Sequence, residues 1–451
     1  MATTSVPTRT LLDRRVRPAA RWAFGHLLPS TVMRVAARKG DLQGQLIEVS
    51  RDGDPFPVFE RIRAEGPLYR GRYASVTTSL PVVREVLSSN DFRAGFDPSQ
   101  LSGALGSVFR WASDSSLLGP LEPPSLLVTE PPDHTRYRKL VTRVFSVKAV
   151  ARLRERTEVI AAELLDDLAG RDTVELVEAY CTLLPVTVIA EILGVPASER
   201  ERVLGFGAAA APSLDLGLSF GQFRTVEDAL AGFSAWLGEH LERLAAEPGD
   251  DLLSQLVAAR DDGVGLDERE LKATAGLILA AGFETTVNLL GNGVALLREN
   301  PDQLRALVDD PGLWPNAVDE VLRLDPPVLL TGRSAIRDTV VAGQPVPRGR
   351  LVTTVLAAAN RDPKIFADPT RFDVTRPNAK DHVAFSAGRH YCLGAALARM
   401  EGEVGLRALF DRYPELQTLP GARRRETRIL RGYDALPVRL GPRARDRAGR
   451  S

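Results

Sequence analysis

The chain is poor in cysteine and has no long apolar run near its N-terminus, and each shortage excludes a class of protein. Two cysteines in 451 residues, Cys181 and Cys392, exclude a disulfide scaffold, and without a CxxC pair they do not predict a zinc site. Arginine, proline or histidine interrupts every short apolar run in the first 30 residues. A secretory signal or a membrane span does not fit this pattern. We therefore expect a cytoplasmic protein with no stable membrane anchor.

Excess charge is also absent, since 58 basic side chains balance 58 acidic ones. A nucleic-acid partner is not expected from this balance. Hydrophobic residues make up 44% of the chain, and no Ser/Gly- or Pro-rich linker divides it. We expect a single domain over residues 1–451, with disordered termini at about 1–10 and 441–451.

Helical periodicity dominates what is present. "SVKAVARLRERTEVIAAELLDDLAG" and "VEDALAGFSAWLGEHLERLAAEP" predict helices, whereas "PLYRGRYASVTTS" and "GRLVTTVLAA" predict strands. Residues 90–128 are rich in glycine, serine, proline and leucine without a period, which is typical of loops that contact ligands. The fold class is therefore mainly α with minor β.

The stretch "FSAGRHYCLG", residues 385–394, surrounds Cys392 with glycines and aromatic residues. Apolar residues after Cys392 follow helical spacing up to Pro414, so we expect the cysteine at a helix N-terminus, which favours a thiolate. Gly388 and Gly394 would allow a tight turn and close approach to a large flat group, and Phe385 would shield the sulfur.

Two other interpretations of Cys392 stay open at this point. It could be a small core residue, as Cys181 in "AYCTLLPVTVIAEILGV" most simply is. It could also be a nucleophile, although His390 is only two residues away and poorly placed to act as its base.

The stretch "LDERELKATAGLILAAGFETTVNLLGNGVALLREN" predicts one long helix. Asp267 and Glu270 have capping-box spacing, and the pattern runs to Asn300 before Pro301. About 33 residues would give a helix of roughly 50 Å, long enough to cross a domain.

Polar residues interrupt the middle of this apolar helix at Glu284, Thr285 and Thr286. Burying a carboxylate without partners is costly, so these residues indicate either a polar helix face or a site. Gly282 costs up to about 1 kcal/mol relative to alanine in a helix, a cost that room for a neighbouring group would offset.

"FSAGRHYCLG" resembles the haem-binding signature of the cytochrome P450 family, Phe-x-x-Gly-x-His-x-Cys-x-Gly. Arginine is commoner in the family where His390 stands, and glycine where Ser386 stands. The resemblance implies that Cys392 is the thiolate ligand of the iron of haem b. It also implies the cytochrome P450 fold, with haem between the long central helix and the cysteine-ligand loop.

"AGFETT" is similar to the acid-alcohol motif on the oxygen-side helix of that family. The resemblance implies that Thr285 contacts dioxygen and that Glu284 relays protons to it. Family members that use peroxide directly often lack this pair, so its presence favours O2 activation.

Further motifs resemble those of the family in its order over about residues 130–440. "EPPDHTRYRKLV" supplies His134 and Arg138, and "TGRSAIRD" supplies Arg333. With His390, these match positions that hold the haem propionates. Basic side chains on a helix are otherwise most often solvated.

"DEVLRLDPP" and "RFDVTRP" resemble the family's structural charge cluster. Glu320 and Arg323 lie three residues apart on a predicted helix, and Arg376 would be the third member. We interpret these residues as holding the fold together and not as catalysts.

The resemblance implies a haem-thiolate monooxygenase that hydroxylates or epoxidises a hydrophobic small molecule. The chain has no glycine fingerprint for flavin or nicotinamide, so electrons would come from a ferredoxin and a ferredoxin reductase. Alternatives are a peroxide-driven haem enzyme, a non-catalytic haem-binding sensor and, remotely, a cysteine hydrolase. A basic docking face for the redox partner would use Arg136, Lys139, Arg143, Arg389 and Arg399. The substrate pocket would be lined by residues 90–128, Ile278, Ala281, residues 326–330 and Tyr433.

Overall fold

The computed structural model describes residues 16–52, 54–95, 107, 111, 119–144, 147–249, 251–260 and 263–443. The expected disordered terminus at 1–10 lies outside these residues, as do residues 444–451. Most of the predicted ligand loop at 90–128 also lies outside them. Of that loop, residues 119–128 form consecutive turns and bends.

Helices make up most of the described chain, as the periodicity predicts. Residues 16–22 are helical and continue through a π-helical turn, Ala23–Leu27, into the first helix. The helices are α1 (Leu28–Arg38), α2 (Leu42–Asp52), α3 (Phe56–Ala64), α4 (Leu80–Ser88), α5 (Asp133–Val144), α6 (Val147–Asp167), α7 (Leu183–Ile192), α8 (Arg200–Ala210), α9 (Phe220–Ala246), α10 (Leu252–Ala258), α11 (Glu268–Glu299), α12 (Pro301–Asp309), α13 (Trp314–Leu324), α14 (Leu356–Ala359) and α15 (Ala395–Arg412).

The strands are short and form small sheets beside the helices. They are β1 (Tyr69–Arg70), β2 (Ala74–Thr77), β3 (Phe92–Ala94), β4 (Thr173–Glu175), β5 (Thr331–Ala335), β6 (Thr339–Val341), β7 (Gln344–Val346), β8 (Leu351–Thr354), β9 (Gln417–Thr418), β10 (Arg423–Arg424), β11 (Tyr433–Ala435) and β12 (Pro437–Arg439). The largest sheet has the order β1-β2-β8-β5-β3, in which only β2 and β8 pair in parallel. Strand β5 contains Arg333, which lies opposite Ala94 of the neighbouring strand β3.

The long helix α11 runs through the largest apolar cluster of the molecule. Its capping box forms as predicted, since Asp267 accepts from the Glu270 amide and Glu270 accepts from the Asp267 amide. By length and composition α11 could cross a membrane, but 59% of its apolar window is buried inside the protein. The same properties are typical of the core helix of a soluble protein.

Helix α15 packs along α11 in the same direction. Glycines allow close approach, because a Cβ on Gly402 would lie 2.9 Å from Leu289 and one on Gly293 would lie 2.7 Å from Leu406. Because the two helices run in the same direction, the loop before α15 lies beside the middle of α11, near Ala281, which precedes Leu289 and Gly293 in that helix.

The start of α15 differs from the expectation. The helix begins at Ala395, with Gly394 as its N-cap, so Cys392 lies in the preceding loop. A short 3₁₀ turn, Gly388–His390, and extended backbone at Tyr391 separate the cysteine from a regular helix.

Candidate active site

Backbone hydrogen bonds fold the cysteine loop back on itself. The Cys392 amide donates to the Phe385 carbonyl at 2.9 Å, and the Tyr391 amide donates to the Gly388 carbonyl at 3.1 Å. Gly388 has φ +67°, and a Cβ there would lie 2.5 Å from the Leu87 carbonyl oxygen. The close approach that Gly388 allows is therefore to the end of α4, whereas the sequence interpretation assigned it to a ligand. A Cβ on Gly394 would meet no atom within 4 Å.

Cys392 borders space that is open to solvent. The residue is accessible to solvent, yet burial raises the pKa of its thiol, while the Gly394 amide and the charges of Arg138 and Arg399 act in the opposite direction. A group that is both accessible and surrounded by protein lies in the wall of a cavity. Cys181, in contrast, is fully buried in the apolar core, as expected.

Helix α5 faces the cysteine loop across an open cleft of about 650 Å³. The cleft is lined by His134, Thr135, Arg138, Lys139, Thr142, Gly388 and Arg389. The rings of His134 and His390 also contact each other, with centroids 4.6 Å apart. The fold thus brings the predicted α5 residues and the cysteine loop together from distant parts of the sequence.

Three predicted cofactor-binding side chains form no ion pair with an acidic residue in the part of the chain that the structure describes. His134 is buried with no partner for Nε2, and burial with the charges of His390 and Arg138 lowers its pKa to about 4. Arg138 forms no ion pair with the described residues, and burial lowers its pKa. Arg333 is 5% exposed, and its Nη1 donates only to Thr331 Oγ1 and the Gly332 carbonyl. Burial lowers the pKa of Arg333 to about 10.

Glu130 organises the side of the site near His390, and the sequence reasoning missed it. It accepts from His390 Nε2 at 3.2 Å, from Arg389 at 2.7 Å and from the Ala94 amide at 2.7 Å. Burial would raise the pKa of Glu130, but these hydrogen bonds outweigh burial and hold it at about 2. The ring of His390 thus has a carboxylate partner within the protein, and its role towards a propionate stays a prediction. The only sequence signal for Glu130 was its position directly before "PPDHTRYR", the motif that supplies His134 and Arg138.

The middle of α11 also borders an open space. Ala281 is exposed and Thr285, one turn later, is half-buried, although the helix crosses the core. The Thr285 hydroxyl donates to the Ala281 carbonyl at 2.8 Å. A Cβ on Gly282 would lie 3.2 Å from Ile189, so the room beside this glycine holds an α7 side chain and not a ligand.

Glu284 has a partner from the far end of the chain. Its Oε1 lies 2.6 Å from Arg425 Nη1, without the alignment of a hydrogen bond. Arg425 is itself held by its Nε, which donates to the Tyr433 carbonyl at 3.3 Å. Burial raises the pKa of Glu284 and the charge of Arg425 opposes this shift. No local pattern around "AGFETT" signals Arg425.

A second buried carboxyl, Glu401, lies beside this group. Thr286 Oγ1 lies 3.3 Å from Glu401 Oε2 and also donates to the Gly282 carbonyl. Burial raises the pKa of Glu401 to about 8, with the Thr286 hydrogen bond opposing the shift. The sequence reasoning missed Glu401, whose only signal is an acidic residue at an apolar-facing position of α15.

The predicted charge cluster is buried and paired. Glu320 accepts from Arg323 at 2.6 and 2.8 Å and from Arg376 at 3.0 Å. Backbone carbonyls accept the remaining hydrogen bonds of both arginines that the structure records. The cluster joins α13 to the segment that leads into the cysteine loop.

Three charges of the predicted basic docking face are paired inside the protein. Arg136 binds Glu270 at 2.5 and 3.0 Å, Arg389 binds Glu130, and Arg399 binds Asp319 at 2.7 Å. Lys139 is exposed, and the Arg143 side chain lies outside the described residues. Of the expected pocket residues, Ile278 and Tyr433 are half-buried and Ala281 is exposed.

Comparisons with known proteins agree with this geometry. A model of the family "Cytochrome P450" matches residues 313–428. A Mycobacterium tuberculosis protein that carries the name cytochrome P450 140 is 49% identical over 93% of this chain and 97% of its own length. The chain belongs to the cytochrome P450 family.

Other members show how widely the likeness extends. A vitamin D(3) 25-hydroxylase of Pseudonocardia autotrophica is 38% identical over 87% of this chain and 95% of its own. The ligand-free structure of Mycobacterium smegmatis CYP164A2 has a TM-score of 0.78 at 33% identity, covering 88% of this chain and 99% of that one. The predicted cytochrome P450 fold is confirmed.

Cytochromes P450 bind haem b and are haem-thiolate monooxygenases, so this chain is an oxidoreductase of that class. The residues present fit the cofactor. Cys392 is accessible to solvent, and the buried Arg333 has no acidic partner among the described residues. The buried His134 nitrogen that lacks a partner completes a set suited to an anionic group.

Proposed function

We propose that this cytochrome P450 activates O2 through Glu284 and Thr285 and hydroxylates or epoxidises a hydrophobic small molecule. The observation that carries the proposal is the buried Glu284, whose raised pKa and single ion pair with Arg425 suit a group that exchanges protons. The haem, when bound through Cys392, supplies the oxidising chemistry.

The protein's own residues hold the cofactor in place and supply protons to the site. Glu284 holds a proton close to the Thr285 position, and Arg425 lowers the free energy of the ionised carboxylate once the proton has left. Arg138, Arg333 and His134 bind the anionic edge of the cofactor, with His390 placed beside them by Glu130. Phe385 packs against the main apolar cluster, and its predicted role is to shield the sulfur from water.

Electrons come from separate partners, a ferredoxin and a ferredoxin reductase. Support for this comes from the sequence, which has no glycine fingerprint for flavin or nicotinamide. Lys139, on the exposed side of α5, is the docking residue that we would substitute first. Ile278 and Ala281, the predicted pocket residues on α11, are apolar and not fully buried, which favours a hydrophobic substrate. Vitamin D3, named in one relative, is a suitable first probe.

The test uses the haem-loaded protein with a surrogate ferredoxin, its reductase and any compound that shifts the Soret band. We expect labelled O2 to give one labelled atom per product. In Thr285→Ala, electron consumption should continue while product falls and hydrogen peroxide rises, and Thr285→Ser should restore the product yield because it keeps the hydroxyl. Unchanged coupling in Thr285→Ala would contradict the proposal. Turnover with peroxide alone at the reductase-driven rate would favour the peroxide-driven alternative.

A further inference from the structure

The solvent side of α1 carries an apolar stripe. Leu28, Val32 and Val35 follow one another at four- and three-residue spacing, and Leu27 precedes them at the end of the π turn. Their exposed fractions run from 37% for Val32 to 49% for Leu28. The buried residues of α1 lie on its other side: Ser30, Met33 and Ala36.

A second element packed beside α1 carries two more exposed apolar residues. Leu216 and Phe220, at the start of α9, are 38% and 41% exposed. Trp22 ties this segment to the N-terminal helices, because its Nε1 donates to the Leu218 carbonyl at 2.7 Å and its ring lies 5.5 Å from that of Phe220. A Cβ on Gly217 would lie 3.0 Å from Ser30. We call the six exposed residues the N-terminal apolar surface: Leu27, Leu28, Val32, Val35, Leu216 and Phe220.

The chain segment that contains α1 is basic in sequence, although Arg21 pairs with Glu227 of α9. Between Asp13 and Asp41 the sequence has seven arginines and lysines and no acidic residue. Arg34, Arg38 and Lys39 are exposed at α1 and its C-terminal end. Arg34 lies 3.6 Å from the partly exposed Glu48, a pair that salt screens readily. Among the described residues, Arg38 and Lys39 form no ion pair.

We propose that the N-terminal apolar surface docks reversibly on an anionic lipid bilayer, with α1 lying in the interface plane. Helices that bind this way combine an exposed apolar face with flanking basic residues, and both features meet on α1. Charge decides between this occupant and a second copy of the chain, because two copies would bring basic rims together whereas anionic headgroups would neutralise them. Such docking differs from a stable anchor, which the sequence does not predict.

The test is sedimentation of the full-length, haem-loaded protein with vesicles. Vesicles of phosphatidylglycerol and phosphatidylcholine in equal parts are compared with vesicles of phosphatidylcholine alone, at low and at high ionic strength. We expect binding to the anionic vesicles, weakened by salt. The variant Arg38→Gln/Lys39→Gln should bind about 30-fold more weakly, from about 1 kcal/mol for each basic residue.

A second variant tests the apolar stripe, and a matched variant controls for it. Leu28→Asp/Val32→Asp should abolish binding, whereas Val308→Asp/Val340→Asp, at exposed valines of α12 and β6, should bind as the unsubstituted protein does. Thermal unfolding and the carbon monoxide spectrum verify that each variant is folded. Equal binding by Leu28→Asp/Val32→Asp and the unsubstituted protein would overturn the proposal. The proposal would also be overturned if the unsubstituted protein dimerised without binding vesicles and Leu28→Asp/Val32→Asp abolished that dimerisation.

Discussion

Two groups of buried arginines differ in their partners. Arg323 and Arg376 bind Glu320 and several backbone carbonyls, whereas Arg333, equally enclosed, donates only to neutral acceptors among the described residues. Burying a charge without an opposite charge is costly, so the second arrangement indicates an anionic ligand. The comparison separates residues that hold the fold from residues that hold a cofactor.

The largest effect is expected from breaking the paired cluster. Glu320→Ala leaves two buried guanidinium groups without a carboxylate, and we expect the free energy of unfolding to fall by about 3–5 kcal/mol. Urea unfolding measures this change. Asp411→Ala, which removes the partner of Arg407 in an exposed pair, should change the free energy by less than about 1 kcal/mol. Equal losses in both variants would remove the distinction.

Glu401 sharpens the comparison because it is a buried carboxyl that has no basic partner within the described ranges of the chain. Its pKa of about 8 exceeds the ordinary 4.5, so folding takes up a proton between these values. The contribution of Glu401 to stability should fall as pH rises from about 4.5 to about 8, by at most about 1.4 kcal/mol per pH unit. Glu401→Gln should remove this dependence, as urea unfolding at about pH 5.5 and about pH 7.5 would measure. The same slope in both proteins would contradict the assignment.

Arg333 tests the other half of the comparison. Arg333→Leu should leave the stability of the haem-free protein unchanged or higher, because it removes an unpaired buried charge. It should weaken haem binding by about 10- to 100-fold, the worth of a charged hydrogen bond. Transfer of haem to apomyoglobin measures the retention. Arg337→Leu, at an exposed arginine paired with Asp91, serves as the control and should retain haem normally.

The smallest effect concerns Ser386, which stands where the family usually has glycine. Its φ is +65°, a conformation that favours glycine, and its buried hydroxyl has no partner. Ser386→Gly should raise the free energy of unfolding by about 1 kcal/mol, since the relief of strain exceeds the added flexibility of the unfolded chain. A shift in the thermal midpoint measures it. A lower midpoint would show that the serine is stabilising.

Local patterns predicted the elements whose causes are local. The capping box of α11 and its end before Pro301 depend on neighbouring residues, and both agree with the structure. The sequence interpretation placed Cys392 at the N-terminus of α15, whereas the helix begins three residues later, at Ala395, after a 3₁₀ turn and extended backbone at Tyr391.

Glycine roles were harder to predict than glycine positions. Gly282 and Gly388 do occupy crowded places, but their neighbours are Ile189 and the end of α4. A sequence pattern shows that a Cβ is absent, and it does not show which atom occupies the space.

The sequence by itself determined the family, the cofactor class and the presence of a buried acid and alcohol in α11, because these follow from short motifs. Only the tertiary structure decided which groups form hydrogen bonds and ion pairs with the residues of the site. Arg425 meets Glu284, Glu401 meets Thr286 and Glu130 meets His390 through segments far apart in the chain. Hydrogen bonds and ion pairs require distances of a few ångströms, which such segments reach only when the chain has folded.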